Sequence, residues 1–403
     1  MERVLRFRPY LNFNWIIHEG QKYFIIDCQL KTLKNPILIH SSLVDLLLGL
    51  LHGVSELDFK AQLATKFSLD EINDFVRMLE DQCLLQNDQW EDALQKLKND
   101  FKKSPVREPF LEGKSFPQDP ESRRNLVKTW LNQIDEHSQI QPDVIILPHI
   151  DYQRGWQVYA ETLKNMRVLD KKRFAVFIGT DHKAGSRLLS ICNKPYHIAG
   201  FSMALDTEGI KYLEKTVGDW IFDDMINHIS EHSLEITMPF LEPVWHNDIK
   251  TIPIIVGPVE QMRNYDELKI NSEFFSFTRA LSEYLSDKLR QTVFVLGIDF
   301  SHLGKAFGDP FELDDSELEK TGDYDSRLKN TFEIKNSEQL FNSFAVENLR
   351  QKVCGFSTMT LLRQVFDNLK IQLNPLFGRY RQSLTQNKEC LVSFWGSLSG
   401  IHF

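Results

Sequence analysis

The stretch Val144–Trp156, VIILPHIDYQRGW, is the part of the chain around which the rest is organised. Its first four residues are apolar and mostly β-branched, and a proline lies on either side, which predicts a short strand buried on both faces. His149 follows this strand, and a helical stretch begins near Trp156. Open α/β sheets bind ligands at the carboxyl ends of their strands, so His149 is a candidate ligand, although it can equally cap the next helix.

The same pattern of buried strand, sharp turn and histidine occurs twice more. Arg173–Ile178 predicts a second strand, followed by His182, and Thr292–Ile298 predicts a third, which ends in Asp299-Phe300-Ser301-His302. His149 and His182 are about one βαβ unit apart, and adjacent parallel strands would place both rings at one edge of a sheet. A shared site is therefore a better interpretation than two separate helix caps.

Two further runs, Thr251–Val256 and Leu391–Leu398, also predict buried strands. Helical stretches separate most of the predicted strands. This alternation predicts an α/β fold with a largely parallel central sheet.

Composition and charge limit the possible functions. The length of 403 residues predicts two or three domains. A net charge of -9, without a basic stripe that contains aromatic residues, argues against a nucleic-acid partner. We find neither an apolar signal segment nor a run long enough to span a membrane, so no membrane association is expected. Five scattered cysteines without a CxxC motif predict a reducing, cytoplasmic environment.

Residues 1–90 are predicted to form a separate small domain, joined by a helical linker over 91–104 to a second domain over 105–403. Strands are predicted at 14–18 and 22–28, connected by a turn over 18–21, and helices follow them. This segment resembles PqqD-like domains of winged-helix type. The matching parts are the hairpin and the stretches LLHGVSELDFKAQLATKFS and DEINDFVRMLEDQCLLQ. The resemblance implies that this domain binds a peptide or a radical-SAM protein; a generic packing domain is equally compatible with the pattern.

Six short motifs occur in order through the second domain. They are Arg107-Glu108 with Gly113 and Phe116-Pro117; Pro148-His149 with Tyr152 and Gly155; Gly179-Thr180-Asp181-His182; Glu231-His232-Ser233-Leu234-Glu235 with Pro239-Phe240; Asp299-Phe300-Ser301-His302; and Cys354-Gly355. Together they resemble the Memo family, also known as AmmeMemoRadiSam system protein B. Each motif is weak alone, whereas six in the family's order are specific.

The resemblance implies a fold of the class III extradiol dioxygenase type with a metal at a strand-end cleft. Its metal ligands correspond to His149, His182 and Cys354, and its proton-handling pair corresponds to His302 and Asp299. Pocket residues are expected to be His232, Glu231, Glu235, Tyr152 and Asp181. The chain departs from the family pattern at Ile150, Lys183 and Thr237.

The ligand chemistry is coherent in its own right. Two imidazoles and a thiolate favour iron or copper, allow zinc, and exclude magnesium and calcium. Three protein ligands leave a position open for chemistry. The carboxylate of Asp299 can accept a hydrogen bond from His302 and so orient that ring as a proton carrier. Alternatively, it can hold a ligand histidine in place.

Three functions remain open. The first is a metal-dependent oxidoreductase, for example a dioxygenase-like enzyme. The second is a metal- or peptide-binding protein without turnover, a partner in an AMMECR/radical-SAM system. The third is a hydrolase with Cys354 as nucleophile, which is the least favoured because a metal and a nucleophilic role would compete for one thiolate.

Overall fold

The computed structural model describes residues 3–18, 21–28, 30, 36–41, 44–135, 137–183 and 185–402. The chain divides into two compact units, Met1–Ser104 and Pro105–Phe403. Among the described residues, no helix is both long and apolar enough to cross a membrane.

The described residues of the first unit form short antiparallel sheets and four helices. Its elements are β1 (Val4–Leu5), β2 (Leu11–His18), β3 (Gln21–Cys28), β4 (Ile37–His40), α1 (Val44–His52), β5 (Val54–Ser55), α2 (Glu56–Leu63), α3 (Leu69–Asp81) and α4 (Asp88–Lys103). Strands β2, β3 and β4 form one sheet, and β1 pairs with β5. The predicted turn over 18–21 includes Glu19 and Gly20, which lie outside the described residues.

Helix α4 covers the segment that was predicted as a linker. Asn87 caps its start by accepting a hydrogen bond from the backbone of Trp90, whose side chain is fully buried. Residues 91–104 therefore belong to the first unit, because α4 packs part of its surface into that unit's core.

The second unit is an α/β structure with an eight-stranded sheet. Its strands are β6 (Val144–Leu147), β7 (Phe174–Thr180), β8 (Leu189–Ile191), β9 (Tyr196–Ile198), β10 (Phe201–Met203), β11 (Lys250–Val256), β12 (Thr292–Gly297), β13 (Asp299–Leu303), β14 (Gln372–Leu384) and β15 (Leu391–His402). Its helices are α5 (Pro120–Leu131), α6 (Tyr152–Lys164), α7 (Thr207–Val217), α8 (Met238–Leu241), α9 (Tyr265–Ile270), α10 (Ser272–Leu285), α11 (Asp315–Ile334), α12 (Ser337–Gln351) and α13 (Phe356–Leu369).

The sheet is mixed rather than largely parallel. Its order is β13-β15-β6-β12-β7-β11-β8, with β14 paired to β15; β9 and β10 form a separate hairpin. Among the described strands of this sheet, only β6, β12, β7 and β11 run parallel to one another. The prediction failed at the margins, because β13 and β14 both pair antiparallel with β15, and β8 pairs antiparallel with β11. The connection from β14 to β15 is a hairpin, which is too short for the crossover that parallel neighbours require.

The four parallel strands form the centre of the core. All residues of β6 and β12 are buried, as are all but the first residues of β7 and β11. Such strands place the segments that follow them at one edge of the sheet, and the three strand-end motifs lie there.

Candidate metal centre

His149 and His182 meet at the carboxyl edge of the parallel strands. His149 follows β6 and His182 follows β7, and their ring centroids are 5.0 Å apart. The sequence suggested that these two strands are adjacent, but β12 lies between them. The shared site is formed nonetheless, since both histidines lie beyond the last paired residues of their strands.

Two glycines at these strand ends admit the turn over 231–233. A Cβ on Gly297 would clash with the Ser233 carbonyl, and a Cβ on Gly179 would clash with the Ser233 hydroxyl. The Ser233 hydroxyl donates a hydrogen bond to the Thr180 carbonyl at 3.0 Å. The absence of side chains at both glycines thus lets the turn pack directly on the sheet.

Cys354 completes the cluster from the turn between α12 and α13. Its Sγ lies 3.1 Å from His149 Nε2, and ligand atoms of His149, His182 and Cys354 all lie within 4.8 Å of one another. Thr180 fixes this turn, because its hydroxyl donates to the Cys354 carbonyl at 3.0 Å. Burial raises the pKa of the Cys354 thiol well above its usual range, and the nearby Asp299 adds to the effect.

The tautomer of His149 is fixed by a backbone carbonyl. Its Nδ1 lies 3.1 Å from the carbonyl oxygen of Gly297, which can only accept a hydrogen bond. Nδ1 therefore carries the hydrogen, and Nε2 presents its lone pair toward Cys354. Burial also holds the pKa of His149 well below its usual value, so the ring is neutral, as a metal ligand must be.

His182 is held in the same way by a carboxylate. Its Nδ1 is 3.0 Å from Glu231 Oε1, which leaves Nε2 available for a metal. The side chain of His182 is 34% exposed, whereas that of Glu231 is fully buried. Partial burial of the ring works against protonation, but the Glu231 carboxylate raises the pKa of His182 overall. Carboxylate–histidine pairs of this kind orient ligands in many metal sites.

Glu231 accepts hydrogen bonds from two histidines and from the backbone. Its Oε1 accepts from Nδ1 of His182 and His232 and from the backbone nitrogens of His232 and Ser233, at 2.8–3.2 Å. Burial alone would raise the pKa of Glu231, but the charges of His182 and Lys183 hold it well below its usual range.

A second possible metal cluster contains His182, Glu231 and His232. Metal binding to Glu231 would require displacing donors that already occupy its oxygens. Glu231 is therefore better suited to orienting the two histidines than to ligation. The ring of His232 stacks on His182 with centroids 4.7 Å apart, so His232 does line the site.

Among the described residues, Asp299 and His302 are not hydrogen-bonded to each other. Asp299 instead accepts the backbone N–H of His149 at 2.9 Å, and its Oδ2 is 3.7 Å from His149 Nε2. Burial raises the pKa of Asp299 to about 7, although the hydrogen bond from the His149 backbone works to lower it. The sequence indicated that Asp299 lies beside the metal ligands and left two roles open for it. The geometry supports the role of holding a ligand histidine in place rather than that of orienting His302.

His302 lies within β13 rather than after a strand. Its Nδ1 is 2.8 Å from the Phe300 carbonyl and 3.1 Å from the Lys352 carbonyl, so Nδ1 carries the hydrogen. Burial lowers the pKa of His302 to about 4, with a further contribution from His182. The ring is therefore neutral at pH 7, with Nε2 as its free acceptor.

Three of the predicted pocket residues are buried and bonded to structural partners. Tyr152 is buried among aromatic rings and donates its hydroxyl hydrogen to the Ile236 carbonyl. Asp181 is buried and accepts from Asn227 at 2.7 Å and from the backbone of Lys183 at 2.9 Å. Glu235 forms a fully buried ion pair with Arg107.

Arg107 is a residue whose importance the sequence did not reveal. Its guanidinium also donates to the carbonyls of His228 and Glu231, at 2.8 and 2.9 Å. Arg107 and Glu235 thereby fix the turn that carries Glu231. The motifs containing both residues were recognised, but their pairing links positions more than a hundred residues apart, and no local pattern reports such a contact.

Comparison with known proteins agrees with this geometry. The family model described as "Memo-like protein" matches residues 107–396, which is most of the chain. The chain belongs to the Memo-like family. The matched segment contains all the residues of the candidate metal centre.

Curated relatives of this Memo-like chain come from bacteria and archaea. A MEMO1 family protein of Aquifex aeolicus is 25% identical over 357 residues, which covers 87% of this chain and 89% of the relative. A further Aquifex aeolicus match to a MEMO1 family protein is 26% identical and covers 62% of this chain and 82% of the relative. A MEMO1 family protein of Methanopyrus kandleri is 24% identical, with coverage of 49% and 69%. The first match is longer than the second unit alone, so it extends into the first unit.

Proposed function

We propose that this Memo-like protein binds one transition-metal ion through His149, His182 and Cys354 and uses it in an oxidoreductase reaction. The observation that carries the proposal is the convergence of three donor atoms within 4.8 Å. The other ring nitrogen of each histidine is already occupied, by Gly297 and by Glu231. Donor nitrogens that are fixed in this manner are typical of metal sites.

The donor set fits iron or copper best and also accepts zinc. Bound iron or copper would supply electron-transfer and oxygen chemistry. The protein's contribution is to keep His149 neutral by burial, to orient His182 through Glu231, and to leave His182 and His232 partly accessible to a substrate.

Metal analysis tests the binding proposal. Protein purified without oxygen should contain one metal ion per chain, and Cys354→Ala should lose most of it. Cys192→Ala is the matched control, because Cys192 is a free, buried cysteine of the same unit that does not belong to the cluster. Unchanged metal content in Cys354→Ala would rule out the assigned ligand set.

We further assign His302 a proton-handling role. Backbone carbonyls of Phe300 and Lys352 hold its Nδ1 hydrogen, so Nε2 can accept a proton from a bound group. General acid–base residues typically contribute about 10²–10⁴-fold to a rate. His302→Ala should therefore retain metal and lose most of its oxygen uptake, whereas His149→Ala should lose both. Equal damage to metal affinity and rate in His302→Ala would contradict this role.

One contact favours a second candidate function. Cys354 Sγ lies 3.1 Å from His149 Nε2, which is also the distance of a nucleophile–base pair. The raised pKa of Cys354 disfavours it, because a nucleophilic cysteine needs an accessible thiolate. Hydrolytic activity that survives a chelator and disappears on alkylation of Cys354 would support this alternative.

We also propose finer assignments for the two units. The second unit's parallel strands with a strand-end metal cluster support a class III extradiol dioxygenase-like fold, and the first unit's hairpin and helices support a PqqD-like domain. Cys83, Cys192, Cys354 and Cys390 are free thiols, which supports a reducing cytoplasmic environment.

The PqqD-like assignment predicts that the first unit binds a peptide or a radical-SAM protein through a strand edge. Deleting residues 1–104 should leave metal content unchanged and abolish capture of that partner. Loss of both properties would favour a packing role.

A further inference from the structure

Lys183 directs its ammonium group onto Glu231 Oε2, the oxygen that also accepts the backbone N–H of His182 at 3.1 Å. Lys183 Nζ lies 3.4 Å from Glu231 Oε2, and the lysine side chain is only 5% exposed. Oε1 of the same carboxylate accepts the hydrogen bond from His182 Nδ1 at 3.0 Å. Glu231 therefore lies between a proposed metal ligand and a buried cation.

This arrangement has an electrostatic consequence. A carboxylate that accepts a hydrogen bond from a ligand imidazole makes that ring a stronger electron donor. An ammonium group on the other oxygen opposes this effect, because the Lys183–Glu231 pair is neutral while Glu231 alone carries a charge of −1. Salt and water screen the pair weakly, since both side chains are buried.

We propose that Lys183 tunes the metal centre as a positioning residue that acts through the charge of Glu231. This inference rests on the proposed metal-binding function. Lys183 limits the negative charge beside His182, so removing its ammonium group strengthens metal binding. Removing the ammonium group also lowers the reduction potential of bound iron, because the uncompensated carboxylate stabilises the more positive oxidation state.

A purely structural role makes the opposite prediction. If Lys183 only satisfies a buried carboxylate, its removal disturbs Glu231 and weakens metal binding. Lys183→Gln separates the two roles, because the amide keeps a hydrogen-bond donor and removes the charge. Lys183→Arg retains the charge and should behave as the wild type.

The chain contains a matched control at the opposite edge of the sheet. Lys172 Nζ lies 2.5 Å from Asp143 Oδ1, and the lysine side chain is 3% exposed. Asp143 precedes β6, and Lys172 also donates to the carbonyl of Thr292 at the start of β12. Lys172→Met therefore removes a buried lysine from its pair with a partly exposed carboxylate at the amino ends of the same strands.

The experiment uses the full-length protein with two measurements. Zinc affinity is measured by competition with a chromogenic chelator, and the potential of the iron-loaded protein by redox titration. We expect Lys183→Met and Lys183→Gln to bind zinc roughly 10- to 100-fold more tightly, a gain as large as the loss that changing a partner of a metal ligand typically causes. Both should show a lower iron potential, while Lys183→Arg and Lys172→Met match the wild type.

Unchanged or weaker zinc binding in Lys183→Gln, with normal binding by the wild type, overturns the inference. An unchanged iron potential in that variant overturns it as well. If the wild type binds no zinc and no iron, the proposed function itself fails and this inference fails with it.

Discussion

The two sides of the metal centre each contain a buried carboxylate, and the two carboxylates behave in opposite ways. Glu231 contacts His182, His232 and Lys183, and its pKa is held well below the usual range despite burial. Asp299 accepts backbone hydrogen bonds beside neutral His149, and burial raises its pKa to about 7. Neighbouring charge, rather than depth of burial, therefore decides which carboxylate is ionised.

Amide substitution of each carboxylate should separate the two sides most strongly. Glu231→Gln leaves Lys183 buried without its counter-charge, and removing one member of a buried ion pair typically destabilises a protein by about 3–5 kcal/mol. Asp299→Asn at pH 7 keeps the acceptor for His149 and removes the cost of ionising a buried carboxylate, so it should stabilise the protein, by at most about 4 kcal/mol. Urea unfolding of both variants measures the difference, and equal losses would refute the distinction.

The pH dependence of stability should differ in sign between the two sides. The folded-state pKa of Asp299, about 7, exceeds the unfolded value of about 3.9. The folded protein therefore holds an additional proton in this window, and stability falls as pH rises from about 4 to 7, by at most about 4 kcal/mol. Glu231 has a lowered pKa, so its contribution is present above about pH 4.3 and is lost as pH falls through its folded-state pKa.

Urea midpoints of the metal-free protein between pH 4 and 8 check this prediction. Asp299→Asn should remove the decline between pH 4 and 7 while leaving acid unfolding in place. A wild-type profile that rises over this window and is unchanged by the substitution would show that Asp299 is ionised throughout.

The smallest effect is expected at the contact between the two sides. Thr180, at the end of β7, donates its hydroxyl hydrogen to the carbonyl of Cys354. Thr180→Val removes this hydrogen bond and should lower stability by about 1 kcal/mol. Thr216→Val is the control, because the Thr216 hydroxyl bonds only within its own helix on an exposed face. Thermal unfolding that does not distinguish the two variants would argue against a stabilising role for the Thr180 contact.

The central strands were predictable because their chemistry is local. The runs around Ile145, Phe177, Ile254 and Val295 are continuously apolar, and such runs form buried strands wherever they pack. Strand β14 was missed because most of its residues are exposed and its sequence contains arginines, glutamine and a proline, which give no buried-strand signal.

The candidate site shows the same division. The residue types at positions 149, 182 and 354 and the family motifs predicted which side chains would meet. The orientation of His149 depends on the carbonyl of Gly297, and that of His302 on the carbonyls of Phe300 and Lys352, which any residue type supplies. The Asp299–His302 hydrogen bond was mispredicted for this reason, since proximity in sequence does not reveal which backbone atoms approach a ring.

The wide separation of the ligands along the chain has a kinetic consequence. Cys354 and His149 are separated by 205 positions, and the hydrogen bond from His149 to Gly297 spans 148. Forming such contacts requires closing long loops, which folding chains do late. The unfolded chain offers no local ligand cluster, so a metal ion can enter only after β6, β7 and the turn before α13 have assembled. Metal uptake would then report completed folding instead of initiating it.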